Sequence, residues 1–153
     1  MREIEGSTYL CSVAKTLEVV GERWTFLILR EAFLGVRRFD HIQGDLGIAR
    51  NILSDRLGKL VDHGILTRRQ YQDRPARFEY RLTEKGIDLY PTIVTMMTWG
   101  DKHLSTKGPP VTLVHGPCGE ETHPVLTCDH CHEPVHARNV RPKIGPGLAK
   151  TAA

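Results

Sequence analysis

Two short spacings in the last third of the chain carry metal-binding chemistry. They are His115-Gly116-Pro117-Cys118 and, after nine intervening residues, Cys128-Asp129-His130-Cys131. Imidazole nitrogen and thiolate sulfur are preferred Zn2+ ligands, and a two-residue gap lets both ends of a tight turn meet one ion. Two such turns supply four ligands, so the expectation is a closed structural Zn2+ site made by His115, Cys118, Cys128 and Cys131. Such a site keeps no position for water, which argues against catalytic zinc. His123, His130, His132 and His136 are further imidazoles able to replace His115, and a redox pair of Cys128 with Cys131 is the second reading.

A different chemistry gathers earlier in the chain, around Arg50, Asn51, Ser54 and Asp55. An asparagine amide pairs with adenine and an arginine fork with guanine at base edges of duplex DNA. Asp55 can accept from cytosine or orient Arg50. Arg37, Arg38, Arg56 and Lys59 suit phosphates, while Arg74 and Arg77 suit the minor groove or the backbone.

The elements that must position these residues are legible. Leu53, Leu57, Leu60 and Val61 form one apolar stripe at helical spacing. Asn51, Ser54, Asp55, Gly58, Lys59 and Asp62 fall opposite, so a helix from Ala49 to His63 can bury one side and offer polar groups on the other. Gly64 is placed to end it. A shorter helix precedes it, through Arg37-Arg38-Phe39-Asp40-His41-Ile42, with a turn at Leu46-Gly47-Ile48. Strand alternation follows from Ile65 to Tyr71 and from Phe78 to Leu82, joined by the turn residues Gln72-Asp73-Arg74-Pro75-Ala76. Helix, turn, helix and basic hairpin tip, in this order, suit a recognition helix in the major groove beside a wing.

Charge has the required sign where it is needed. The 153-residue chain carries a net charge of only +3, but Val36 to Arg81 holds ten Lys/Arg against six Asp/Glu. A local basic ridge favours phosphate contact through counterion release. No apolar run reaches the length of a membrane span. The N-terminus lacks a signal-peptide core, so a cytoplasmic protein is expected, with cysteines as thiols, ligands or redox sensors rather than disulfides. There is no glycine-rich phosphate loop and no H-E-x-x-H, so an enzyme is not expected.

Upstream, Leu10, Val13, Ala14, Leu17 and Val20 predict one helix, and Glu22-Arg23-Trp24 begins another that is apolar around much of its circumference, with Trp24 as a core anchor. Cys11-Ser12-Val13-Ala14, Gly21-Glu22-Arg23-Trp24-Thr25, Ile28-Leu29-Arg30, Arg37-Arg38-Phe39, Leu53-Ser54-Asp55-Arg56-Leu57 and Tyr80-Arg81-Leu82-Thr83-Glu84-Lys85-Gly86 resemble the HxlR-type family. That family comprises bacterial winged-helix transcription regulators related in fold to MarR-type repressors. The resemblance covers roughly residues 10–104. It implies a homodimer on a pseudo-palindromic double-stranded operator, more readily a repressor than an activator. It also implies that Cys11 could sense oxidants, the alternative being a small helix-packing cysteine. A small-molecule effector between dimer helices, Cys11 oxidation and metal binding are all open as signals. A winged-helix module that contacts only protein is the rival reading; steep salt dependence of binding would separate the two.

The expected organisation is α+β. Residues 1–104 form a winged helix-turn-helix domain with flanking dimerisation helices, entered by a loose arm at 1–8. A linker spans 105–110, a zinc-ribbon-like β appendage 111–137 and a disordered tail 138–153. A last helix is expected from Thr83 to about Leu104, with Ile87, Leu89, Tyr90, Ile93, Val94, Met96, Met97 and Trp99 covering two apolar faces. One face suits the domain and the other a second subunit. In the appendage, strands are expected at Val111–Val114, Val125–Thr127 and Pro134–His136.

Overall fold

The computed structural model describes residues 11–147. The expected N-terminal arm and residues 148–153 of the tail lie outside them. The chain divides after Ile93 into two compact units.

The first unit opens with α1 (Ser12–Val20) and α2 (Arg23–Phe33), then α3 (Phe39–Leu46) and α4 (Arg50–Asp62). A two-stranded antiparallel hairpin follows, β1 (Leu66–Gln72) and β2 (Arg77–Leu82), and then the short α5 (Glu84–Ile87). The apolar stripe of α4 supplies the centre of the core: Leu53 and Leu57 are fully buried beside Ile28 and Leu29 of α2, Ile42 of α3, and Ile65 and Leu66 at the root of the hairpin. Trp24 packs against this cluster as expected, with the Arg23 guanidinium 4.8 Å from its ring centre. Burial of aliphatic side chains at this density stabilises a small domain by about 1.5–3 kcal/mol per side chain before entropy is counted.

Two left-handed glycines shape the ends of α3 and α4. Gly47, at φ 60°, closes α3 by bonding its N–H to the Gln43 carbonyl, and the chain then turns through Ile48 and Ala49 into α4. Gly64, at φ 67°, ends α4 and turns the chain into the hairpin. Thr83 then ties the hairpin's exit to its entry: its Oγ1 donates to the Gly64 carbonyl at 2.6 Å and its N–H to the Ile65 carbonyl at 3.0 Å. The Lys85 ammonium caps the last turn of α4 at the His63 carbonyl, 2.7 Å away, where the helix dipole favours a cation.

The single helix expected from Thr83 to Leu104 is instead two, α5 and α6 (Tyr90–His103). Thr83 caps α5 by accepting from the Gly86 N–H at 3.1 Å. Pro91, which lacks an N–H, cannot continue a helix from α5, but it is tolerated in the first turn of α6. Gly86 is buried, and a Cβ there would run into the Ile65 carbonyl.

The second unit comprises most of α6 and the chain beyond it. Residues 105–110 and 138–147 carry no helix or strand. The appendage pairs β3 (Leu113–Val114) with β4 (Glu121–Thr122), a strand the alternation did not indicate. Of the strands expected at 125–127 and 134–136, only a single bridge between Thr127 and Pro134 forms.

Candidate nucleic-acid interface

The side of α4 opposite its buried stripe is open. Asn51, Ser54, Asp55, Gly58, Lys59 and Asp62 are all exposed, as is Arg50 in the first turn. Between this side and the hairpin lies a groove of about 400 Å³. Its walls are Arg38, Phe39 and Asp40 from the start of α3, Arg50 and Ser54 from α4, and Arg68, Tyr71, Arg77, Phe78 and Tyr80 from the hairpin.

The segment before α3 is held to the wing by backbone bonds: the Tyr80 N–H donates to the Arg37 carbonyl at 2.8 Å, and Arg38 bridges Glu79. The helix-turn-helix and the wing are thereby joined into one surface. Arg37 and Arg38 are both exposed on it.

Arginines along the groove rest on aromatic rings. The Arg38 guanidinium lies 4.7 Å from the Tyr71 ring centre, Arg50 4.9 Å from Phe39, and Arg68 3.6 Å from Phe78. Arg50 also reaches Asp40 at 3.9 Å, a weak pair between two exposed side chains. Arg68 was counted in the basic balance of the sequence but not assigned to the site. Its signal was strand alternation: beyond the buried Leu66 the hairpin strand is exposed, and Arg68 stands opposite Tyr80. Arg74 and Arg77 are exposed at the tip, where a bulge between Gln70 and Gln72 twists the wing.

Arg56 is placed differently from the other basic residues of α4. Its side chain is only 18% exposed and pairs with Glu22 at 3.3 Å and with Asp55 at 3.6 Å. Its Nε is buried and makes no hydrogen bond. The guanidinium therefore fastens α4 to the start of α2. Asp55 is shared with Lys59, 3.1 Å away one turn on.

In the second unit, His115 Nδ1 and Cys118 Sγ stand 3.3 Å apart. Hydrogen bonds from the Cys131 and His130 N–H groups and from the Cys131 thiol hold the Cys128 thiol below its ordinary pKa. Cys11 is exposed at the N-terminal boundary of α1.

A helix-turn-helix joined to a basic wing, with the polar side of its second helix free, defines a DNA-binding protein of the winged-helix class. The HxlR-like helix-turn-helix family model matches residues 19–108, and the chain belongs to that family. It is similar to the HTH-type transcriptional regulator Rv3095 of Mycobacterium tuberculosis, with 54% identity over 93% of this chain and 91% of that protein. It is also similar to the HTH-type transcriptional regulator sll1512 of Synechocystis, with 31% identity over 71% of this chain and 81% of that one. Among solved structures, that of PA1607, a proposed transcription factor, superposes with a TM-score of 0.79 at 34% identity, over 90% of this chain and 96% of that chain. The redox regulator HypR in its reduced form gives a TM-score of 0.56 at 30% identity, over 60% and 92% respectively. The protein is thus a transcriptional regulator and not an enzyme. Among the described residues no helix is long and apolar enough to cross a membrane.

Proposed function

We propose that this regulator binds as a homodimer to a two-fold-related DNA operator, each protomer seating the first turns of α4 in one major groove. Arg50, Asn51 and Ser54 read base edges; the carboxylate beside Arg50 is Asp40 rather than the expected Asp55, which pairs with Arg56 and Lys59. Arg37, Arg38 and Lys59 grip phosphates, and Arg74 and Arg77 follow the backbone or enter the minor groove. The observation that carries this reading is the groove between α4 and the wing, whose lining includes Arg38, Arg50, Arg68 and Arg77.

Support for pairing comes from apolar side chains that the chain leaves uncovered. Val13 and Leu17 of α1 are 66% and 54% exposed, and Met96 and Trp99 of α6 are 51% and 58% exposed. Large apolar side chains left in water on a helix are available to a partner, α1 offering them in the first unit and α6 in the second. A dimer covering two half-sites about 34–36 Å apart occludes the duplex between them, so repression is the output that needs no further partner.

Selection of bound sequences from a random duplex pool tests the reading. A two-fold-related motif, and binding that weakens steeply with added salt, is the expected result. A motif without two-fold symmetry would remove the dimer, and no enrichment would remove sequence reading.

The signal has one structural pointer. Cys11 is exposed, and a structural neighbour is named a redox regulator. A hydroperoxide would oxidise the Cys11 thiol to a sulfenic acid and leave as the alcohol or water. Operator binding should then respond to hydrogen peroxide in the native protein and not in Cys11→Ser.

A further inference from the structure

The family model ends at residue 108, yet the similarity to Rv3095 spans 93% of this chain and so runs well into the appendage. The appendage contains one backbone unit built twice. In the first copy the His115 N–H bonds to the Glu120 carbonyl at 2.9 Å, and the Gly119 N–H returns to the His115 carbonyl at 2.8 Å. In the second, the Cys128 N–H bonds to the Glu133 carbonyl at 2.9 Å, and the His132 N–H returns to the Cys128 carbonyl at 2.9 Å. The residue after the fourth position of the turn is left-handed in both, Gly119 at φ 74° and His132 at φ 61°. Each turn closes on an antiparallel pair in the same register, Val114 with Glu121 and Thr127 with Pro134.

A non-glycine residue such as His132 adopts positive φ uncommonly and at a cost. That the second turn accepts it to match the first implies that the turn's shape is needed. The shape presents residues one and four of the turn on one side, and in both copies these are metal-ligand types. The His115–Cys118 separation of 3.3 Å is close to the roughly 3.6 Å between two ligand atoms of a tetrahedral zinc.

A second observation is independent of the turns. No described residue from 111 to 147 is buried, and Val111, Val125, Leu126 and Ile144 are more than half exposed. A segment with ordered turns and no core of its own needs another source of stability, and in small units a metal commonly supplies it. Among the described residues no three His, Cys, Asp or Glu side chains are gathered in a position to hold an ion; the ligands stand as two pairs.

We infer that the two turns are the halves of one structural zinc site, which closes when His115, Cys118, Cys128 and Cys131 share a single Zn2+. This inference is separate from the DNA-binding reading. With four protein ligands the ion has no open position, so it staples the appendage and performs no chemistry.

The test is metal analysis of the full chain, purified reduced, without chelator, from zinc-supplemented culture. About one zinc per chain is expected, falling to below about a tenth in both Cys118→Ser and Cys131→Ser, with Cys11→Ser unchanged. Replacement by Co2+ should give the intense visible absorption of a tetrahedral thiolate site, altered in His115→Ala. Less than about a tenth of an equivalent of zinc in the native protein would overturn the inference, as would occupancy that survives the loss of either cysteine. So would a Co2+ spectrum identical in native protein and His115→Ala, since His115 would then not be a ligand.

Discussion

Removing the guanidinium of Arg50 separates recognition from stability. In the free protein Arg50 makes one long pair with Asp40 at 3.9 Å, between side chains each 75% exposed, and one stacking contact with Phe39. Each such exposed interaction contributes about 0.5 kcal/mol, so Arg50→Ala should leave thermal stability within about 1 kcal/mol of native. On DNA the loss is larger. A bidentate arginine–guanine contact discriminates by about 1–3 kcal/mol, and giving up the Asp40 pair offsets part of it. The net is about 1–2 kcal/mol per half-site, or about 2–4 kcal/mol for two half-sites, a roughly 30- to 1,000-fold weaker operator complex. Fluorescence anisotropy with the selected operator and a scrambled duplex of equal length, both at one salt concentration, measures it. Operator affinity should fall by that factor while scrambled-duplex affinity changes only several-fold. Equal losses on both duplexes would make Arg50 a phosphate contact. No loss on either would refute the placement of α4 in the groove.

Arg77→Ala, at the wing tip, should weaken operator and scrambled duplex alike and reduce the slope of log affinity against log salt by about 1 per protomer. Leu57→Ala truncates a side chain with 0% exposure at the centre of the core; thermal or urea unfolding should show a loss of about 2–5 kcal/mol. Gly86→Ala drives a Cβ into the Ile65 carbonyl and should cost more than about 1 kcal/mol, whereas Gly58→Ala meets nothing within 4 Å on an exposed helix face and should stabilise by about 0.5–1 kcal/mol in the same assay. Trp99→Glu places a charge where an apolar ring is 58% exposed; light scattering should report monomers and operator binding should fall steeply.

The reading helix was legible because two strong local signals agreed. The leucine stripe predicted 49–63 and α4 spans Arg50–Asp62, with Ala49 and His63 at its ends. Hairpin alternation placed both wing strands within a residue of where they pair. What escaped depends on contacts between elements. A helical wheel puts Arg56 on the flank of the stripe, but only the fold brings Glu22 beside it and withdraws it from solvent. The close approach of Gly86 to the Ile65 carbonyl, which leaves no room for a Cβ, likewise joins residues far apart in sequence. In the appendage, the strand Glu121–Thr122 has no alternation to reveal it; its place is set by the turn that begins at His115.

The aromatic partners of the groove explain why arginine, rather than lysine, dominates it. Phe39 begins α3, Tyr71 lies in β1 and Phe78 in β2, so each ring belongs to a regular element that fixes it. A planar guanidinium stacks on such a ring and keeps its N–H fork free at the edge; an ammonium on a flexible stem has neither property. On the proposed reading, Arg38, Arg50 and Arg68 would therefore meet DNA with side-chain freedom already reduced, and ordering a long side chain otherwise costs about 0.5–1.5 kcal/mol on binding. The rings are not neutral supports. They would convert a local excess of positive charge, which alone binds any duplex, into donors held at set positions along the groove, and at Arg50 a donor at a set position can distinguish one base edge from another.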